Sequence, residues 1–146
     1  MRTIIPRQFG FSHCFVCGPD NLRGLRLVFE QEGDTVLTTF APPPEYGGYG
    51  TILHGGLTST LLDEAMAWAV YGLLGKLSLT TELRVRFLGP VRCGETLTVV
   101  GSIVSSDERG AETRAEVRDA GGVVRAESVG AMRFVSARAV ERMSRP

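Results

Sequence analysis

The chain has no excess charge of either sign: 16 lysines and arginines stand against 16 aspartates and glutamates, for a formal net charge of +0. Its arginines are scattered and form no basic run. Nucleic acids and anionic membranes recruit proteins through an electrostatic footprint, so neither is expected as the main partner. A secretory signal is likewise not expected, because Met1-Arg-Thr-Ile-Ile-Pro6 has no continuous apolar core. No membrane span is expected either, since the one long apolar stretch, around Trp68, carries two adjacent acids. Cysteine is scarce. Three cysteines cannot all pair within one chain, and nothing else points to an oxidising compartment. These absences suggest a cytoplasmic protein.

What remains is a globular composition, 43% hydrophobic and 22% charged over 146 residues. That length suits one domain over residues 1–146 with a single sizeable core. Its centre is the stretch from Ile52 to Gly75, where Asp63 and Glu64 are the only charged residues after Gly55. Leu57, Leu61, Leu62, Met66, Trp68, Val70, Leu73 and Leu74 leave no continuous polar face, and a helix apolar nearly all round is a buried one. Burying a carboxylate is costly unless it is paired or hydrogen-bonded. At least one of the two acids therefore needs a reason to be there.

Around this helix the pattern is β. Residues 1–24 read as an amino-terminal arm with Pro6 and Gly10 and no clear period. Leu25 to Gln31 and Thr35 to Ala41 read as strands joined by Glu32-Gly33-Asp34, a hairpin signal. Pro42-Pro43-Pro44 ends the second, and a glycine-rich loop with Gly47, Gly48 and Gly50 leads to His54. After the helix, Leu83, Val85 and Phe87 alternate with Glu82, Arg84 and Arg86, which predicts one buried and one solvated face. Further strands are predicted from Leu97 to Ser106, Ala111 to Asp119 and Val123 to Val135, with residues 137–146 as a fraying polar tail. Strands segregated around one helix mean α+β: one long central helix wrapped by a curved antiparallel sheet of five to six strands. Such a sheet leaves edges and part of the helix uncovered, which dimerisation would mend.

The chemistry gathers at two points of the helix. Gly55 and Gly56, directly after His54, open it with free backbone N–H groups and the positive end of the macrodipole, suited to an oxyanion growing on a carbonyl. Glycine there also lets a substrate approach closely. Asp63 or Glu64 can supply the acid–base or nucleophilic half of a hydrolysis. Eight residues of helix separate Gly55 from Asp63 by about 12 Å, so one carbonyl cannot touch both within one chain. If both serve one reaction, the second half comes from a symmetry-related chain.

His54-Gly55-Gly56 followed six residues later by Asp63 resembles the signature of hotdog-fold acyl-coenzyme A thioesterases of the PaaI type. The likeness extends to Cys14-Phe-Val-Cys-Gly18, Gly24-Leu25, Leu62-Asp-Glu-Ala65 and Glu82-Leu-Arg-Val-Arg-Phe-Leu-Gly-Pro90. It implies hydrolysis of an acyl- or aroyl-coenzyme A at the interface of a homodimer, with pairing into a homotetramer open. Asp63 matches the catalytic carboxylate, Gly55 the glycine whose N–H polarises the thioester carbonyl, and His54 the histidine that shapes the turn. Thr80 falls where relatives place a hydroxyl that helps position water. Gly56, Gly48 and Glu64 are the expected substrate-lining positions, with Glu64 otherwise pairing an arginine. Relatives often carry Asn or Gln in the loop where this chain has Gly47, Gly48 and Gly50, so that amide contact is missing here. The alternative function is a hotdog protein that binds an acyl ligand without turnover. No cofactor is implied. Cys14-Phe-Val-Cys17 has zinc-compatible spacing, but a full site would need His13, Cys93 or a neighbouring chain. The expectation is therefore two packed thiols and no metal.

Overall fold

The computed structural model describes residues 1–7, 10 and 12–146. Within the predicted arm, Gln8, Phe9 and Phe11 lie outside the described residues. The strands are β1 (Thr3–Ile4), β2 (Glu30–Glu32), β3 (Thr35–Phe40), β4 (Leu77–Phe87), β5 (Leu97–Ser106), β6 (Gly110–Arg118) and β7 (Val124–Val135). The helices are α1 (Gly55–Leu74) and α2 (Ala137–Met143), with a short 3-10 turn at Pro44–Tyr46. All strands join one antiparallel seven-stranded sheet in the order β1-β2-β3-β5-β6-β7-β4.

α1 starts and stops where local chemistry dictates. His54 caps it, its Nδ1 accepting from Gly56 N–H at 2.9 Å, and Leu57 and Thr58 donate to its carbonyl. Gly75 ends it in the left-handed conformation at φ 65°, donating to Tyr71 O at 3.0 Å, a position where glycine carries no Cβ penalty. Leu61, Leu62, Ala65, Met66, Ala69 and Val70 are buried and form one core with sheet residues that include Val36, Leu97, Val99 and Val117. The helix and sheet backbones come close at Gly101 in β5, where an added Cβ would collide with the backbone oxygen of Ala65. Neither backbone can rotate out of the way as a side chain would. Gly101→Ala is therefore expected to destabilise the fold by about 3 kcal/mol, the upper end of overpacking. Denaturant unfolding checks this: the midpoint should fall at unchanged slope, and a loss below about 0.5 kcal/mol would mean that α1 is free to move away.

Four sequence expectations change. The sheet has seven strands rather than five or six, because two residues of the arm pair with β2 through Thr3↔Gln31 and Ile4↔Glu30. The strand expected from Leu25 is shorter: only Glu30–Glu32 pairs, while Leu25 and Leu27 donate instead to Phe15 O and Val16 O at 2.8 Å. This brings residues 14–29 across α1 opposite the sheet, burying Val16, Cys17, Leu27 and Phe29 in the common core. Residues 137–143, expected to fray, form α2, capped by Ser136 Oγ accepting from Ala139 N–H at 3.0 Å. Finally, the apolar face of β4, expected to be buried, is covered in one chain only around Val85, which packs against the core. Leu79, Leu83 and Phe87 are 45%, 38% and 57% exposed on the strand that ends the sheet. Among the described residues, no helix is long and apolar enough to cross a membrane.

Candidate active site

At the mouth of α1, His54, Gly55 and Gly56 are all solvent-exposed. The bond to His54 Nδ1 occupies the Gly56 N–H, whereas the Gly55 N–H has no acceptor among the described residues. The Gly55 N–H is thus the open donor at the positive end of a 20-residue helix. Phe87 of β4 lies beside it, its ring 3.5 Å from where a Gly55 Cβ would be. The loop that delivers the chain here is pinned by Gly48 N–H to Ile52 O at 2.7 Å and by His54 N–H to Tyr46 O at 3.0 Å. Gly48 sits close to the cap: its own Cβ would come within 3.5 Å of His54 Cα.

Two turns further along, the adjacent acids separate. Successive helical residues diverge by about 100°, which sends Asp63 and Glu64 to different neighbours. Asp63 is half-buried and turned to β4, where Thr80 Oγ1 donates to its Oδ1 at 2.6 Å. The Thr80 hydroxyl also lies 3.4 Å from Met132 Sδ, which restricts its rotation. Among the described residues no lysine, arginine or histidine forms an ion pair with Asp63. The hydroxyl bond orients the carboxylate without neutralising it.

Glu64 turns the other way, toward the arm, and among the described residues the expected arginine partner is absent. Its Oε1 instead accepts from Trp68 Nε1–H at 3.1 Å and from the Cys14 thiol at 3.7 Å. Burial pushes the Glu64 carboxyl up to about 7, and the neighbouring Cys14 sulfur adds to the rise. Cys14 is held below the ordinary thiol range, chiefly because the Cys17 thiol donates to it, while Cys17 is pushed up by that same bond and by burial. Trp68, which the sequence pattern marks only as core, positions Glu64; it stacks on Phe29 at 5.1 Å and 8° and meets Tyr71 edge-on. A cavity of about 210 Å³, mainly apolar, opens beside Glu64, Trp68, Leu77 and Leu79 and is also lined by Lys76 and Val140. Leu79 directly precedes Thr80, so the cavity and the Asp63–Thr80 pair share one end of β4.

His54, Gly55 and Gly56 thus lie together at one end of α1, and Asp63 and Thr80 lie together in its middle. The two groups are about 12 Å apart along the axis.

The model of the thioesterase superfamily matches residues 50–126, just over half of the chain and including both groups. The crystal structure of protein RHA08564, a thioesterase superfamily protein, superposes with a TM-score of 0.77 at 32% identity, over 86% of this chain and 61% of that one. The Escherichia coli PaaI protein from the phenylacetic acid degradation operon superposes at 0.68 with 20% identity, over 75% and 78% of the two chains. A hypothetical thioesterase protein of Streptococcus pneumoniae, crystallised with coenzyme A, gives 0.69 at 20% identity, over 74% and 84%. An uncharacterized Schizosaccharomyces pombe protein is 29% identical over 89 residues, 60% of this chain and 51% of that protein. The chain therefore spans only about half to three-fifths of the length of the RHA08564 and yeast proteins.

Proposed function

This chain belongs to the thioesterase superfamily, and on that premise we propose that it hydrolyses an acyl- or aroyl-coenzyme A thioester to the free acid and coenzyme A. The observation that carries this reading is Asp63: a half-buried carboxylate with no cationic partner among the described residues, held at 2.6 Å by Thr80 on the helix that packs against β3, β4, β5, β6 and β7. A carboxylate held there can act as a base toward water or as a nucleophile toward a carbonyl. It either takes a proton from a water that attacks the thioester carbonyl, or attacks the carbonyl itself to form an anhydride that water then opens. In the first course the C–S bond then breaks and the proton passes from Asp63 to the departing coenzyme A thiolate. In the second, Asp63 expels that thiolate as the anhydride forms, and a water proton goes to the thiolate. In both courses the carbonyl oxygen gains negative charge, and the free Gly55 N–H at a helix N-terminus is aimed to receive it. His54 holds the turn so that this N–H stays open, and Gly56 and Gly48 keep the approach clear of side chains.

Asp63 and Gly55 serve one carbonyl only if they come from two chains. The exposed Leu79, Leu83 and Phe87 on β4, together with its unpaired edge, support a homodimer in which a second copy covers this strand. Phe87 beside Gly55 and Thr80 beside Asp63 both lie on β4, so one contact surface carries both halves of the site. Further pairing into a tetramer is compatible with this arrangement. A structural relative crystallised with coenzyme A supports that carrier for the acyl group.

The test is a hydrolysis screen over short, long and aromatic acyl-coenzyme A thioesters, read by release of the free thiol. Turnover of at least one class is expected without added metal or cofactor. Tight binding of acyl-coenzyme A with no turnover of any class would replace the enzyme by a non-catalytic acyl-ligand binding protein.

A further inference from the structure

The pair Cys14 and Cys17 takes no part in the proposed hydrolysis, yet the fold surrounds it with features that packed thiols do not need. We propose that Cys14, Cys17 and Glu64 form a binding site for a soft divalent transition-metal cation of the zinc class. The spacing in the chain leaves this pair without a third ligand, and neither His13 nor Cys93 supplies one. His13 is exposed and bonds Ser12, and Cys93 is tied to Thr51 in another loop. The third ligand comes from α1, 50 residues away from Cys14 in the chain. One ligand atom from each of Cys14, Cys17 and Glu64 lies within 4.8 Å of the others, with Cys14 Sγ and Glu64 Oε1 at 3.7 Å. Metal–sulfur bonds of about 2.3 Å and metal–oxygen bonds of about 2.0 Å at tetrahedral angles need ligand spacings slightly below these, within reach of small side-chain rotations.

Three further features fit a cation. The first is the turn Cys14-Phe-Val-Cys-Gly18. Gly18 N–H donates to Cys14 O at 2.9 Å, and a Cβ at Gly18 would lie 2.5 Å from both N and O of Cys14, so glycine alone closes it. The second is charge. Two thiols and a carboxyl converge where, among the described residues, no ion pair reaches them, although Lys76 lines the adjoining cavity with them. A bound dication would offset the negative charge that the deprotonated ligands bring together. The third is support around the ligands. The Trp68 indole N–H holds Glu64 Oε1 at 3.1 Å, and Phe29 holds the indole by stacking, which fixes the carboxylate as outer-shell partners of metal ligands do.

Thiolate ligands select zinc-like ions over magnesium or calcium. The 210 Å³ cavity lies against all three residues and leaves the fourth position open to water or a ligand group. Bound there, the ion would clip the amino-terminal segment to α1 one residue from Asp63.

The experiment titrates reduced, chelator-stripped wild-type protein with Co²⁺, then with Zn²⁺. One Co²⁺ per chain should give thiolate-to-metal charge-transfer absorption in the near ultraviolet, and Zn²⁺ should abolish it by displacement. Cys17→Ser should lose most of that absorption, and Glu64→Gln should weaken binding by about tenfold or more. Zinc should also protect the part-exposed Cys14, but not Cys93, from alkylation in the wild-type chain, a readout that does not depend on any variant folding. No charge-transfer band at excess Co²⁺, or equal alkylation of Cys14 with and without zinc, would overturn the site. Undiminished affinity in folded Glu64→Gln would remove the carboxylate from it. None of these readouts involves a thioester, so their failure is separate from any failure of the hydrolase reading.

Discussion

Asp63→Asn is expected to lower the turnover number by about 10²-fold or more, the range for loss of a positioned acid–base group. Asparagine keeps the shape, and its amide oxygen can still accept from Thr80 Oγ1, which lies 2.6 Å from Oδ1 of the native Asp63. The loss is confined to the basic and nucleophilic oxygen, so KM and melting temperature should change little while kcat falls. Glu64→Gln should cost far less in kcat, because Glu64 faces Trp68 and Cys14 rather than β4. Steady-state kinetics of the two variants, side by side, distinguish the adjacent acids. A larger loss of kcat in Glu64→Gln than in Asp63→Asn would move the chemistry to the other side of α1.

Gly55→Pro should have a comparable effect by a different route. Proline deletes one N–H and nothing else that the first turn uses, since the Gly55 N–H has no acceptor among the described residues. The position tolerates the ring. It is the first residue of the helix, where proline is favoured, and His54 already has the extended ψ of 130° preferred before proline. The nearest atoms to a Cβ there, on the Phe87 ring, are at ordinary contact distance, 3.5 Å. Removal of one oxyanion donor costs about 10²–10³ in kcat. The expected result is therefore a loss of that size at an almost unchanged melting temperature. Gly55→Ala keeps the N–H and should show its effect in KM. Full activity in Gly55→Pro would mean that the helix N-terminus takes no part in stabilising the carbonyl oxygen.

The elements that could be read from the chain are those whose signal is local and periodic. α1 announces itself because Asp63 and Glu64 are its only charges, and β6 because Ala111, Thr113, Ala115 and Val117 alternate with charged residues. β4 alternates just as cleanly, yet Leu79, Leu83 and Phe87 are exposed in the single chain. Periodicity shows which side chains share a face; it does not show that the same chain covers that face. The contact of Glu64 with Cys14 was beyond reach for a related reason. It joins residues 50 positions apart through a segment without period, and its path is set by backbone bonds to Phe15 and Val16. α2 is hidden in the sequence by the polarity of the tail from Ala137 onward, although Ser136 stands before Ala-Arg-Ala-Val as a standard cap residue ahead of helix formers. At the site, the pairing of Asp63 with Thr80 spans the α1–β4 junction, and only the family resemblance drew attention to Thr80.

The claim on which the rest depends is that Gly55 of one chain and Asp63 of another act on the same thioester. The most direct measurement is hydrolysis by a refolded one-to-one mixture of Gly55→Pro and Asp63→Asn chains, each nearly inactive alone. If the site is shared, every mixed dimer rebuilds one intact site from the wild-type Gly55 of one chain and the wild-type Asp63 of the other. The mixture should then recover about a quarter of the wild-type rate per chain, since half of randomly paired dimers are mixed and each carries one working site of two. If each site is built within one chain, or the protein works as a monomer, no intact site can form. A mixture that stays as inactive as its parents, with chain exchange verified by mass, would contradict the account.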